Sequence, residues 1–149
     1  MKFGDGVFET IRIINGQAKY LEFHFERLKR GLELLEINCT SSELDQLEVC
    51  VSQLIIKNEI EKGGILRIIA QRAGLGKYTP KTNRVFFYIE SERLRINSYE
   101  LNKKGLKLGI SQKVKIDYSK FSEHKTLNAI PYVLAAKEKY EGQFDELVY

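Results

Sequence analysis

The order of apolar and polar positions near the start of the chain predicts a β-hairpin. The run Phe8–Ile14 is rich in β-branched and aromatic side chains, as strands are, and it ends at Asn15-Gly16. That dipeptide favours a two-residue hairpin turn, because both of its residues tolerate a positive φ. We therefore expect Gln17–Phe23 to return alongside the first run as a second strand.

Two segments whose apolar residues recur at helical spacing follow the hairpin, and two further strand-like runs come after them. Leucines recur at helical spacing over roughly Glu22–Leu35. A capping sequence at Thr40–Glu43 begins a second apolar stripe that continues to Asn58. Ile65–Gln71 and Arg84–Glu90 have the composition of buried strands. The pattern predicts a mainly antiparallel four-stranded sheet with both helices on one face.

The remaining third of the chain has elements of its own. Asn97–Lys104 is polar and is typical of a link between two lobes. After it we expect a strand at Leu106–Val114, a loop at Lys115–Lys125, a helix at Leu127–Tyr140 and a strand at Phe144–Tyr149. The sequence thus predicts a small α/β lobe over residues 1–95, a linker over 96–105 and the start of a larger lobe over 106–149. Because the last strand would be left as an open edge, we expect a piece of a longer protein.

Composition and charge exclude some classes of protein. The net charge is +4, from 24 basic and 20 acidic side chains, and the basic residues are scattered, which argues against nucleic-acid binding. No apolar stretch has the length of a membrane span, so we expect no membrane partner. Cys39 and Cys50 make neither a disulfide framework nor, with the two histidines, a metal-ligand spacing. A cytoplasmic protein without a metal is the default expectation.

Two cationic residues are the first candidates for chemistry. Lys125 comes just ahead of a predicted helix, where a lysine of lowered pKa could attack an aldehyde. Arg27 lies in the first turns of another helix, and its fork suits a phosphate. Taken alone, a solvated surface lysine and a surface arginine paired with a neighbouring glutamate are the commoner explanations.

The candidates gain weight from four segments taken together and in order: Gly4–Arg12; His24–Leu28; Leu66–Ile69 with Gly74 and Tyr78–Pro80; and Lys125–Asn128 with Val133–Ala135 and Asp145-Glu146. Together they resemble the class IV aminotransferase family, whose enzymes use pyridoxal 5'-phosphate (PLP). The resemblance spans nearly the whole chain. It implies an α+β fold of two lobes, the fold type IV of the D-amino-acid aminotransferases. This chain would hold the small N-terminal lobe and the start of the large one.

The resemblance also implies roles for individual residues. Lys125 would bind the cofactor covalently and later carry the proton of the substrate's α-carbon, and Arg27 would hold the cofactor's phosphate. The substrate side of the cleft would contain four more residues: Phe8, Glu9, Arg12 and Arg67. Glu9 and Arg12 are three apart on a predicted strand, so they should face opposite sides. The family also implies a homodimer.

Three functions stay open at the level of sequence. The first is an aminotransferase that moves an amino group between an amino acid and a 2-oxo acid. The second is an aminodeoxychorismate lyase, and the third is a non-catalytic fragment. Tyrosines found in many relatives are replaced here by Ala129 or Ile130 and by Ile65, which favours slightly the lyase or D-amino-acid branches. The carboxylate that pairs with the pyridine nitrogen in the family would follow Tyr149.

Overall fold

A computed structural model describes residues 3–74, 78–116 and 118–149 of the chain. It contains both helices and strands, which are grouped along the chain as expected of an α+β protein. In chain order they are β1 (Gly6–Ile14), β2 (Gln17–Ala18), α1 (Leu21–Leu34), α2 (Ser41–Lys57), β3 (Gly64–Arg72), β4 (Val85–Arg93), β5 (Leu108–Ile110), α3 (Ile130–Glu141) and β6 (Glu146–Val148).

The hairpin prediction is confirmed at its turn and wrong at its second strand. Asn15 and Gly16 have φ values of 50° and 70°, the left-handed pair that a tight hairpin needs. The returning strand β2 is only two residues long, whereas a strand was expected to continue to Phe23. Tyr20 adopts a left-handed conformation with φ 57° and is the N-cap of α1, so the chain turns into the helix there.

The four-stranded antiparallel sheet is confirmed, with the order β2-β1-β3-β4. Residues of both helices join the same buried cluster with alternate residues of β1 and β3, as the pattern of leucines predicts. Helix α1 contributes Leu28 and Leu32 to this core, and α2 contributes Val51. At the start of α2, Thr40 and Glu43 form a complete capping box, which satisfies the first free amides of the helix.

The C-terminal elements are shorter than the sequence predicts. Strands β5 and β6 have three residues each and pair in parallel, although longer strands were expected at Leu106–Val114 and Phe144–Tyr149. Helix α3 begins at Ile130 rather than at Leu127, with Pro131 in its first turn. In the loop expected over 115–125, Asp117 lies outside the described residues, and the others form turns and irregular structure. Among the described helices none combines the length and the apolarity of a membrane span.

A segment distant in sequence extends the sheet beside β1. The backbone N–H of Phe8 donates to the carbonyl of Lys125 at 2.9 Å, and the N–H of Leu127 donates to the carbonyl of Gly6 at 2.9 Å. Thr126 is thereby bridged to Val7 in an antiparallel sense. The first half of β1 therefore has β3 on one edge and residues 125–127 on the other.

Helix α1 approaches β1 closely at Gly31, and this contact is open to a test. A Cβ atom added at Gly31 would lie 2.8 Å from Cγ1 of Val7, a buried side chain. Gly31→Ala should therefore destabilise the fold by about 1–3 kcal/mol through overpacking. In an uncrowded helix the same change stabilises by about 1 kcal/mol. Urea denaturation measures the difference.

Val7→Ala provides the control background for that measurement. It removes the methyl group that the new Cβ would meet, so Gly31→Ala should become neutral or stabilising when Val7 is already alanine. A Gly31→Ala variant that is more stable than the unmodified chain would contradict the close approach of α1 and β1.

Candidate functional site

Strand β1 presents the candidate residues on its two faces. Side chains alternate along a strand, and the pairing register sets Thr10 opposite Arg67. Phe8, Arg12 and Arg67 therefore share the face that points away from the helices. Glu9 lies on the other face, in line with the core residue Ile11. Glu9 and Arg12 face opposite sides, as their spacing predicts.

Glu9 is a buried carboxylate that collects three short polar contacts. Its side chain is 1% exposed. Arg27 donates to it through Nε at 2.6 Å, to Oε1, and through Nη2 at 2.6 Å, to Oε2. Nδ1 of His24 lies 2.7 Å from Oε2. Because His24 and Arg27 are three apart on α1, one face of the helix delivers both to the same carboxylate.

The contacts of this cluster determine its charge. Burial raises the pKa of Glu9, but hydrogen bonds from Arg27 and His24, together with the positive charges of Arg27 and Lys125, outweigh it, and the pKa is lowered. The hydrogen bond to Glu9 raises the pKa of Arg27. At neutral pH the cluster therefore contains an ionised carboxylate and a guanidinium cation. An ionised carboxylate can only accept, so we infer that Nδ1 of His24 carries a hydrogen.

Lys125 lies where residues 125–127 meet β1. Its Nζ is 4.8 Å from the centroid of the Phe8 ring, a cation–π distance. Burial lowers the pKa of the amine; the charge of Glu9 raises it, and those of Arg27 and Arg67 lower it again. The net result is a pKa below that of an ordinary lysine, which increases the fraction of neutral, nucleophilic amine.

The other two candidates on this face have partners of their own. Nη1 of Arg67 donates to Oε1 of Glu90 at 3.1 Å, and both side chains are about half exposed. An exposed pair of this kind is worth little, so Arg67 can exchange Glu90 for another carboxylate. Nη2 of Arg12 donates to the backbone carbonyl of Ile96, at the start of the expected linker.

The structure thus brings together Phe8, Lys125 and the pair of Glu9 and Arg27, with Arg67 close enough to influence the lysine. Arg12 lies on the same face as Phe8 but is bound to the linker segment. Sequence reasoning gave no site role to His24. Its spacing from Arg27 was a usable signal, since residues three apart on a helix are neighbours.

Comparisons with known proteins agree on one family. A sequence model of the amino-transferase class IV family matches residues 6–149. An aminodeoxychorismate lyase of Bacillus subtilis is 30% identical over 129 residues, which cover 85% of this chain and 44% of that protein. A D-alanine aminotransferase of Staphylococcus epidermidis is 40% identical over 65 residues, 42% of this chain and 22% of that one.

A solved structure shows the same fold. A hypothetical aminotransferase from Mycobacterium tuberculosis, in its PLP-bound form, superposes with a TM-score of 0.73 at 17% identity. The match covers 99% of this chain and 52% of that one. The chain therefore spans about half the length of the relatives it matches. The family match extends over nearly the whole sequence, from the strand that carries Glu9 to the segment after α3, and the chain belongs to the amino-transferase class IV family.

Proposed function

We propose that this chain forms part of a PLP-dependent aminotransferase, which moves an amino group between an amino acid and a 2-oxo acid. The observation that carries the proposal is the position of Lys125: a half-buried amine of lowered pKa, fixed by its own backbone to the strand that also holds the Glu9–Arg27 pair. Family membership supports the cofactor, since a neighbour of the same fold is known in a PLP-bound form.

The chemical groups of Lys125 and Arg27 fit this cofactor. PLP carries an aldehyde and a phosphate, and it needs a nucleophilic amine for the first and a cation with several N–H groups for the second. Lys125 offers the amine. Arg27 is a guanidinium with its side chain 42% exposed, so a part of it that Glu9 does not occupy faces solvent. We therefore assign Lys125 and Arg27 to the cofactor.

Lys125 would also move the proton of the reaction. When bound, PLP supplies an electron sink for negative charge at the substrate's α-carbon. Lys125 would be the base, and burial together with the charges of Arg27 and Arg67 lowers its pKa, which increases the fraction of the amine that is able to accept a proton. Its place above Phe8 keeps the amine on the face of β1 that points away from the helices.

The substrate side of the site would be the face of β1 and β3 that contains Phe8, Arg12 and Arg67. Arg67 is the residue suited to the substrate's carboxylate, since its contact with Glu90 is exposed and exchangeable. Phe8 offers an apolar surface beside the amine, on the same face as Arg67. Arg12 would act at the margin, where it binds the carbonyl of Ile96.

A lyase that acts on aminodeoxychorismate is the second candidate. It is favoured by the identity of 30% over 85% of this chain to a protein of that name. The two functions use the same amine and phosphate contacts, and they differ in the products. Release of pyruvate from 4-amino-4-deoxychorismate without transfer of an amino group to a 2-oxo acid would favour the lyase.

Three wider features belong to the proposal. We propose that residues 1–95 and 106–149 belong to different lobes joined by 96–105, and that the protein works as a homodimer in the cytoplasm. The first two features rest on the family resemblance. The location rests on two cysteines, Cys39 and Cys50, that are both free thiols.

Covalent labelling tests the role of Lys125. The chain is incubated with PLP, the adduct is fixed with borohydride, and the modified lysine is mapped by mass spectrometry. We expect the label on Lys125 and its loss in Lys125→Ala. A label spread evenly over surface lysines such as Lys29, Lys57 and Lys137, or no label at all, would contradict the proposal.

The lowered pKa of Lys125 has a consequence that can be measured without the cofactor. Lys113 is the matched control, because its hydrogen bond and charge interaction with Glu141 raise its pKa. An amine-specific acylating reagent should therefore reach half of its maximal rate at a lower pH for Lys125 than for Lys113. Peptide mapping over a pH series gives both midpoints, and the reverse order would show that Lys125 is an ordinary lysine.

Substitution of Arg27 tests the phosphate contact. Arg27→Ala should weaken PLP binding by about 1.5–3 kcal/mol, the scale of a charge-assisted hydrogen bond. Arg30→Ala removes an exposed arginine of the same helix and should change the affinity very little. Equal losses in the two variants would indicate a general effect of positive charge instead of a specific contact.

A further inference from the structure

We propose that Glu9 is a positioning residue for the phosphate contact: with His24 it fixes the orientation of the Arg27 guanidinium. This inference rests on the proposed function, in which Arg27 holds the phosphate. It moves Glu9 from the substrate side of the cleft, where the resemblance put it, to a place behind the cofactor's anion. The charge of Glu9 would then act on the phosphate only through Arg27.

The donors of Arg27 divide into two sets. A guanidinium carries five N–H groups in a planar fork. The Nε hydrogen and one hydrogen of Nη2 point to the two oxygens of Glu9, in a side-on bidentate pair. Among the residues that the structure describes, both hydrogens of Nη1 and the second one of Nη2 stay available on the outer edge. Because a bidentate pair fixes the plane of the fork, Glu9 determines where these remaining donors point.

Burial makes Glu9 suited to this task. Its side chain is 1% exposed, whereas that of Arg27 is 42% exposed, so the carboxylate lies behind the guanidinium as seen from solvent. Glu9 belongs to a strand that is paired along its length with β3, and it cannot shift without the strand. An arginine on a helix surface would otherwise sample many rotamers, and a phosphate would have to order it at an entropic cost.

His24 completes the arrangement from the first turn of α1. Its Nδ1 donates to Oε2 of Glu9, the oxygen that also accepts from Nη2 of Arg27. Nδ1 and Nη2 lie 3.3 Å apart, and both carry hydrogens, so they do not bond to one another. Both instead converge on one oxygen. His24 therefore holds the carboxylate in the rotamer that receives Arg27.

The test compares PLP with pyridoxal, which lacks the phosphate, as ligands of the chain. The dissociation constant of pyridoxal divided by that of PLP isolates the phosphate contact, and this ratio exceeds one when the phosphate adds affinity. Glu9→Gln should reduce this ratio about ten-fold, because the glutamine places an N–H donor against Arg27 or His24 and the bidentate pair is lost. If Glu9 merely opposed the phosphate by its charge, its removal would increase the ratio. The sign therefore separates the two roles.

Glu59→Gln is the matched control, since Glu59 is also paired with an arginine, Arg93, but on the exposed surface. Its ratio should equal that of the unmodified chain. If the unmodified chain itself binds PLP no better than pyridoxal, the proposed role of Arg27 fails. If the unmodified chain prefers PLP and Glu9→Gln keeps or increases that preference, the inference about Glu9 alone is overturned.

A second measurement needs no variant, and so it does not depend on whether Glu9→Gln folds. In the unmodified chain the Nε hydrogen of Arg27 should exchange slowly with water in nuclear magnetic resonance spectra, because it is bonded to a buried carboxylate. The Nε hydrogen of Arg30, which is exposed on the same helix, should exchange fast. Equal exchange of the two would overturn the inference.

Discussion

Two backbone hydrogen bonds hold residues 125–127 against the free edge of β1, and the site depends on them. They connect Phe8 to Lys125 and Leu127 to Gly6 across more than a hundred residues of sequence. Because they use main-chain atoms, they set the position of the lysine's Cα whatever the neighbouring side chains do. A cofactor that must meet an amine at one end and a cation at the other needs both groups fixed against one rigid element.

Strand β1 is that element, since Lys125 is bonded to its backbone and Arg27 to its Glu9. Successive side chains of the strand point to opposite faces, and each face has a different role. The face with Phe8 receives the amine of Lys125. The opposite face carries Glu9 into the contact with α1, where an unpaired buried carboxylate would be costly. Arg27 and His24 provide the hydrogen bonds that the buried Glu9 needs. These bonds fix Arg27 at the margin of the core. The core that stabilises the lobe and the cluster that presents the guanidinium are therefore built on the same strand.

The sequence predicted what depends on local pattern and missed what depends on distant partners. The hairpin turn, the two helices and the antiparallel sheet follow from short-range spacing, and they are confirmed. The left-handed Tyr20 that ends β2 early has no such signal, and the length of β5 depends on how much of β6 pairs with it. In the site, Glu9 and Ile11 are two residues apart on a strand, so they share a face, and the apolar Ile11 indicates that this face packs against the helices. The pairing of residues 125–127 with β1 is a tertiary contact that no local pattern encodes.

The central claim is that Lys125 is held by the backbone of β1 before any cofactor binds. Amide hydrogen exchange of the isolated chain tests it most directly, at the N–H groups of Phe8 and Leu127. We expect both to be protected about as strongly as the amides bonded between β1 and β3. Exchange as fast as that of the exposed residues 98–101 would contradict it, because the lysine would then lack a fixed place beside the strand.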